Sequence, residues 1–170
     1  LLRIFLNKKV KKLSGYFFLK KFLDYKQSKN KNILLINPTK LDGEINKNLL
    51  LKKNFEKVSC YTAPIYKKEI ADKKLLKIIK KKKYDYIIIN IGGIIQEQLG
   101  LFIKKNIKKK LSIICTGAAI AFITKRQAPI NDYIDKFYLG WFWRVIYNPR
   151  MFFIRTLKSL LLIKLFINMN

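Results

Sequence analysis

The sequence predicts an α/β fold in which a parallel β-sheet carries helices on both faces. Four short apolar runs stop at a proline, a glycine or a polar residue, which is typical of buried parallel strands. Segments with apolar residues at helical spacing, and lysines opposite them, separate these runs. Half of the 170 residues are apolar, so the chain has enough apolar surface to bury a core.

The elements follow one another in a strand–helix rhythm. A first helix is predicted within residues 14–32, ahead of a polar loop. The helices between the strands are predicted at 43–55, 66–84 and 94–110. This alternation indicates βαβ units, whose strands are parallel. The strands are predicted at "NILLIN" (32–37), "KVSCYT" (57–62), "YDYIIINIGG" (84–93) and "LSIICTG" (111–117).

The chain is strongly basic, since 37 lysines and arginines oppose 10 acidic residues for a formal charge of +27. Such a charge favours polyanions, namely nucleic acid, anionic lipid or phosphorylated substrates. The lysines are scattered over most of the predicted helices and no recognised nucleic-acid motif occurs. A basic nucleic-acid-binding module is therefore the weaker alternative. The richness in lysine, isoleucine and asparagine also fits an AT-rich genome, which lowers the weight of the charge as an indication of function.

The residues that commonly bind metals are sparse or badly spaced. Histidine is absent, and the spacing of Cys60 and Cys115 matches neither a zinc site nor a redox pair. Both cysteines are predicted to be buried free thiols in a reducing compartment. Asp85 lies between two tyrosines, so no Asp-x-Asp motif is present there. We expect neither a cofactor nor a metal ion.

Three predicted strands are followed by loops that suit a bound phosphate or sugar. Because the carboxyl ends of parallel strands open on the same side of a sheet, these loops are expected to share one cleft. A glycine turn lets the backbone approach a ligand closely, and the helix N-terminus after it attracts an anion. Each loop taken alone is more readily an ordinary turn, so it is their coincidence that predicts a site. The predicted site residues are Thr62, Tyr66, Gly92, Gly93, Gln96, Glu97, Thr116 and Gly117.

The C-terminal stretch "GWFWRVIYNPRMFFIRTLKSLLLIKLF" (140–166) combines aromatic residues with arginines and lysines. Pro149 disfavours the helical conformation at Asn148, so two helical pieces are predicted. The second piece, 151–167, is interrupted by basic residues and is shorter than the ~20 apolar residues that span a bilayer. It is predicted to lie in the plane of an anionic membrane surface, the alternative being a helix packed on the domain with its arginines reaching solvent. The residues predicted to meet lipid or a lipid diphosphate are Arg126, Trp141, Trp143, Arg144, Arg150 and Arg155.

Six stretches together resemble the WecG/TagA/CpsF glycosyltransferases. In chain order they are "KKLSGYFFLKKFL", "YTAPIY", "NIGGIIQE", "CTGAAIAF", "RQAP" and "LGWFWRVIYNPR", and the resemblance extends from about Val10 to Leu160. The order of tryptophan, arginine, Asn-Pro and arginine in the last stretch is its most specific part.

The resemblance implies a Rossmann-like fold with a C-terminal helical appendage. Residues 1–125 would bind the nucleotide sugar, and residues 126–170 would attach to the cytoplasmic face of the plasma membrane. The implied reaction moves an N-acetylhexosamine, such as N-acetylmannosamine, from a UDP-sugar to a lipid-linked sugar acceptor in surface polysaccharide or teichoic acid synthesis. Association into homo-oligomers is also open. Within the motifs, Gln96 and Glu97 carry over as ligand-site residues, and Arg144, Arg150 and Arg155 as residues of the appendage.

The catalytic residue stays unknown at this stage. The catalytic aspartate proposed for the family is expected upstream of Leu1, and Asp42 and Asp132 are candidate bases only by elimination. The sequence also departs from the family pattern: Ile94-Ile95 replaces Pro-Lys, and Ile120-Ala121 replaces Phe-Asp. These departures leave open an alternative, in which the chain is an inactive or accessory membrane-surface remnant of the family.

Overall fold

The predicted α/β fold is confirmed by the computed structural model, which describes residues 14–66, 70–127, 133–134, 137 and 139–150. Four strands and the helices around them form a Rossmann-like arrangement. The strands are β1 (Ile33–Asn37), β2 (Val58–Thr62), β3 (Tyr86–Ile89) and β4 (Ser112–Cys115). The helices are α1 (Gly15–Asp24), α2 (Lys40–Lys52), α3 (Lys73–Lys81), α4 (Ile95–Asn106), α5 (Ala119–Ile123) and α6 (Gly140–Tyr147), with a 3₁₀ turn at Lys26–Ser28.

The sheet is parallel, with the strand order β2-β1-β3-β4. All five residues of β1 are buried, which explains why this central strand is apolar from Ile33 to Ile36 and does not alternate. From β1 the chain winds outward to β2 and then returns past β1 to β3. The winding direction therefore changes between β1 and β3, and the carboxyl ends of these two strands form the topological switch point, where open α/β sheets bind ligands.

Helices cover both faces of the sheet, as the sequence predicts. On one face Phe22 of α1 packs edge-on against Tyr86 of β3, with 5.1 Å between ring centroids, and stacks with Phe55 after α2. On the other face a single apolar cluster joins α3 and α4 to the sheet. This cluster contains Leu34, Ile36, Tyr61, Leu75, Ile79, Tyr84, Ile87, Ile89, Ile91, Leu99, Ile103 and Ile107.

Two helices begin at residues different from those predicted, because capping residues set their starts. The side chain of Thr39 accepts a hydrogen bond from the backbone N–H of Asp42, so α2 starts at Lys40 rather than at residue 43. The carboxylate of Asp72 likewise accepts from the N–H of Leu75, and α3 starts at Lys73. Residues 70–72, which the apolar periodicity placed in a helix, are not helical.

The prediction that the cysteines are free thiols is confirmed, and the prediction that they are buried is wrong. Both thiols are free, but Cys60 and Cys115 are exposed rather than buried. The reason is that they lie on β2 and β4, which are the outer strands of the sheet within the described residues and receive less cover than β1 and β3. Partial desolvation nevertheless raises the pKa of both thiols.

The chain divides into two compact units between Ile120 and Ala121. The second unit contains α6, which ends at Tyr147, so the break predicted at Asn148-Pro149 is confirmed. In the described part of the chain, no helix is long and apolar enough to cross a membrane. The predicted interfacial helix at 151–167 and the predicted turn at 128–129 lie outside the described residues.

Candidate functional site

Four polar residues, one from each strand or directly after it, form a row across the carboxyl edge of the sheet. Asn37 is paired with Thr62 in the ladder between β1 and β2. The N–H of Asn90 donates to the carbonyl of Ile36 at 2.8 Å, and the N–H of Thr116 donates to the carbonyl of Ile89 at 3.1 Å, so both residues continue the same ladder. We call Thr62, Asn37, Asn90 and Thr116 the polar row.

Side-chain hydrogen bonds connect three members of the polar row. The Nδ2 of Asn90 donates to the Oδ1 of Asn37 at 3.0 Å, and the hydroxyl of Thr116 donates to the Oδ1 of Asn90 at 2.6 Å. From α2, the Nδ2 of Asn46 donates to the same Oδ1 of Asn37 at 2.8 Å. The network thus crosses from α2 through β1 and β3 to the end of β4, and spans the switch point.

These amides are buried, since Asn37 is 0% exposed and Asn90 is 7% exposed. Burying an amide without a partner costs roughly 1–3 kcal/mol, so the network offsets a real penalty. Asn37, Asn46 and Asn90 were not among the site residues predicted from the sequence. A usable signal was present, because two wholly apolar strands each run directly into an asparagine.

The glycine turn after β3 opens toward free space. Gly92 and Gly93 are exposed, and a Cβ added to either would meet nothing within 4 Å. The carbonyl of Gly92 accepts from the N–H of Gln96 at 3.1 Å, which brings the turn onto the start of α4. Ile94 precedes α4 with φ 70° and ψ −55°, a strained conformation for a β-branched residue.

Gln96 joins this turn to the loop after β4. Its Oε1 accepts from the N–H of Gly117 at 2.7 Å, and its Nε2 donates to the carboxylate of Glu97 at 2.6 Å. Gln96 is 7% exposed, whereas Glu97 is exposed. The structure therefore brings Gln96, Glu97, Thr116 and Gly117 together. It gives Gln96 the part of a bridge between two loops and leaves Glu97 accessible.

The loop after β2 is held by a carboxylate that was not among the site residues predicted from the sequence. The hydroxyls of Tyr61 and Tyr66 each donate to Oδ2 of Asp72 at 2.8 Å, while Oδ1 of Asp72 caps α3. Burial, followed by the hydrogen bond to Asp72, raises the pKa of both phenols well above the ordinary range. Tyr66 is thus committed to a structural contact, while Thr62 is exposed at the end of β2. An aspartate before a lysine–leucine run is a helix-start signal, and that signal could have identified Asp72.

The basic and aromatic residues predicted for membrane contact are described only in part. Arg126 and Arg150 are exposed, and Trp143 of α6 is 37% exposed. Trp141 and Arg144 also belong to α6, but their side chains, like the whole of Arg155, lie outside the described residues.

Nothing that the structure describes supports a catalytic role for Asp42 or Asp132, the two candidate bases. The hydroxyl of Thr39 donates to Asp42 at 2.6 Å within the cap of α2, and Asp132 lies outside the described residues. Across the described ranges, no group of three or more histidine, cysteine or acidic side chains is placed to hold a metal ion.

One comparison with known proteins identifies the chain. The model of the glycosyl transferase WecG/TagA/CpsF family matches residues 1–169, which is almost the whole chain, and agrees with the resemblance drawn from the six stretches. Comparisons with curated proteins and with solved structures gave no significant match. With the family model spanning this α/β fold from end to end, the chain belongs to the WecG/TagA/CpsF family of glycosyltransferases.

Proposed function

We propose that the chain binds a UDP-sugar at the carboxyl edge of its sheet and transfers an N-acetylhexosamine from it to a lipid-linked sugar acceptor. The observation that carries the proposal is the coincidence of three features at the switch point. These are the polar row, the open backbone of Gly92 and Gly93, and the bridge from Gln96 to Gly117. Family membership supplies the reaction class.

The diphosphate and the sugar of the donor need different binding groups, and the carboxyl edge of the sheet carries groups suited to each. The diphosphate suits the turn at Gly92 and Gly93, because a backbone without side chains permits close approach and the start of α4 carries a partial positive charge. Glu97 would repel phosphate, so its accessible carboxylate suits the hydroxyls of the sugar. Thr62 and Thr116 add hydroxyl groups on either side of the two central strands.

The reaction itself is a displacement at the anomeric carbon of the donor sugar. A base takes the proton of the acceptor hydroxyl, the acceptor oxygen bonds to the anomeric carbon, and the bond to the diphosphate breaks, so UDP leaves with the electron pair. The positive ends of the backbone N–H dipoles near Gly92 would stabilise the negative charge that develops on the leaving diphosphate. We assign no base among the described residues.

The composition of the second unit supports a location at a membrane surface. A lipid-linked acceptor stays at the membrane, so the enzyme must work at its surface. The net charge of +27 and the exposed aromatic residues of α6 favour a peripheral contact with anionic lipid. In this proposal residues 126–170 make that contact at the cytoplasmic face, and surface polysaccharide or teichoic acid is the product class.

Alanine substitution at the glycine turn tests the donor site. Gly92→Ala and Gly93→Ala add a Cβ into free space, so the fold should be unaffected. A ligand that touches this backbone should lose affinity by about tenfold, the cost of one misplaced contact. Isothermal titration calorimetry with UDP-N-acetylmannosamine, UDP-N-acetylglucosamine and UDP measures the effect.

Gly100→Ala is the matched control, because it places the same methyl group inside α4 at ordinary contact distance from Ile113 and Cys115. We expect it to leave affinity unchanged. Binding of an oligonucleotide with no binding of any UDP compound would overturn the proposal. Binding of a UDP-sugar without transfer to a lipid-linked acceptor would favour the accessory remnant instead.

A further inference from the structure

The directions of the side-chain hydrogen bonds from Asn37 through Asn90 to Thr116 start from one backbone carbonyl. The Nδ2 of Asn37 donates to the carbonyl of Leu35 at 3.2 Å. A carbonyl can only accept, so the amide nitrogen of Asn37 must face it, and the Oδ1 of Asn37 must face the opposite way. The orientation of the first amide in the row is therefore fixed by the main chain.

The second amide takes its orientation from the first. The Oδ1 of Asn37 receives donors from Asn46 and Asn90, at 2.8 and 3.0 Å. Turning the Asn90 amide over would place two carbonyl oxygens against each other in a buried position, which is strongly unfavourable. Asn90 thus presents its Nδ2 to Asn37 and its Oδ1 to Thr116.

The hydroxyl of Thr116 is the last group of the row, and its single proton is already assigned. It lies 2.6 Å from the Oδ1 of Asn90 and 3.1 Å from the carbonyl of Ile89, both of which are acceptors. The proton is directed at these two atoms, so the oxygen can offer its lone pairs to a further partner. Thr116 is half-buried, so part of it is accessible at the carboxyl edge.

We infer that Thr116 is a specificity-determining residue that accepts, and does not donate, a hydrogen bond from the ligand. Asn90 is the positioning residue that enforces this polarity. The ligand must then present a donor at this point, which is a sugar hydroxyl or an amide or imide N–H, and not a phosphate oxygen. This inference rests on the proposed donor site, and it separates the end of the row from the phosphate contacts expected at Gly92 and Gly93.

Ligand analogues test the polarity directly. UDP-N-acetylmannosamine is compared with analogues in which each hydroxyl in turn is replaced by fluorine, and each N–H by an N-methyl group. Every replacement removes one donor. We expect one analogue to bind wild type about tenfold more weakly than the parent, because an acceptor is left without its partner. In Thr116→Val that difference should vanish, and in Thr116→Ser it should persist.

Two variants of Asn90 separate positioning from stability. At a pH where its carboxyl is protonated, Asn90→Asp can donate to Asn37 and accept from Thr116 as the amide does, so it should keep the discrimination even where it lowers stability. Leucine accepts nothing, so in Asn90→Leu the hydroxyl keeps only the longer contact to the carbonyl of Ile89, at 3.1 Å, and the discrimination should fall at least threefold. A ratio of two affinities does not change with the fraction of protein that is folded.

The outcomes are distinguishable. If the parent binds but every analogue loses affinity equally in wild type and in Thr116→Val, the inference is overturned and the proposed function stands. If Asn90→Leu discriminates as wild type does, Asn90 has no positioning role. If no UDP compound binds wild type, the proposed function and the inference both fail.

Discussion

Gly117 shows how a single backbone conformation holds two loops together. Its φ of 54° lies in the left-handed region, which glycine adopts without strain. That conformation aims its N–H at the Oε1 of Gln96, 2.7 Å away. A Cβ at this position would lie 3.4 Å from the Nε2 of Gln96, which is an ordinary contact distance, so the positive φ and not a lack of space is what favours glycine here.

Gly117→Ala should therefore lower the free energy of unfolding by about 1–2 kcal/mol, the cost of the left-handed conformation for a residue with a Cβ. Urea denaturation followed by circular dichroism measures it. Gly92→Ala is the control, because Gly92 has no positive φ and free space around it. Equal stability of the two variants would contradict the conformation described for Gly117.

The hydrogen bonds of Asp72 with Tyr61 and Tyr66 should contribute to the free energy of unfolding in a way that depends on pH. Burial and the hydrogen bond to Asp72 raise the pKa of Tyr61 and Tyr66 above the value of about 10 expected in the unfolded chain. The protonated phenols therefore stabilise the folded protein fully below pH ~10, and this stabilisation is lost as the pH rises toward the pKa that the two phenols have in the folded protein.

Spectrophotometric titration of the tyrosines tests this. In the native protein Tyr61 and Tyr66 should stay protonated above pH ~10, and in urea both should titrate near that pH. Asp72→Asn removes the negative charge that faces both phenols, so it should lower their pKa. Native protein in which every tyrosine titrates near pH ~10 would contradict the contacts of Asp72.

At the scale of elements, the turn between β3 and α4 stores strain. Ile94 adopts φ 70° and is 75% exposed, so its side chain contributes little packing to offset that conformation. Functional turns commonly combine strain with exposure, and this one adjoins the open glycine pair.

Ile94→Gly should raise the free energy of unfolding by about 0.5–1 kcal/mol, since glycine accepts a positive φ while an exposed isoleucine loses little. Thermal denaturation gives the value. Ile65→Gly is the matched control, because Ile65 is 98% exposed in a loop and has no positive φ, so glycine there should bring no gain. A gain of equal size at both positions would show that strain at Ile94 is not the cause.

The strands were predictable and the helix starts were not, for a physical reason. A parallel strand buried on both faces is apolar along most of its length, and the four apolar letters inside "NILLIN" show this directly. A helix start depends on which side chain reaches an N–H three residues on. Apolar periodicity alone carries no information about the caps at Thr39 and Asp72.

The sequence predicted where in the fold the candidate site should lie, but it predicted only some of the residues that form it. Parallel topology brings all strand ends to one edge, so the glycine turn and Thr116 were expected there. The amides of Asn37 and Asn90 were missed because asparagine is abundant in this chain, and because their pairing depends on register across β1 and β3. That register is fixed only once the strand order is known.

At the scale of the whole molecule, the charge of +27 should make any contact with anionic lipid depend on salt. We expect binding to vesicles of phosphatidylglycerol to weaken steeply as ionic strength rises about tenfold, since screening acts over roughly 10 Å at 0.1 M. Vesicle sedimentation measures the bound fraction.

A variant ending at Pro149 should lose most of this binding, because it lacks the basic and aromatic residues beyond that point. Neutral phosphatidylcholine vesicles are the control for apolar adsorption. Binding that is unchanged in the truncated variant would place the lipid contact elsewhere in the chain, and binding that ignores salt would exclude the charge as its cause.

The two free thiols give this fold a pair of native reporters for local opening. Cys60 lies on one edge strand with its sulfur 3.4 Å from a carbonyl of α2, and Cys115 lies on the other with its sulfur 3.6 Å from a carbonyl of α4. An alkylating reagent at fixed pH reads each sulfur separately by mass spectrometry, because the chain contains only these two cysteines. A ligand that stiffens the start of α4 should slow modification of Cys115 and leave Cys60 as an internal reference, so binding could be followed without any added label.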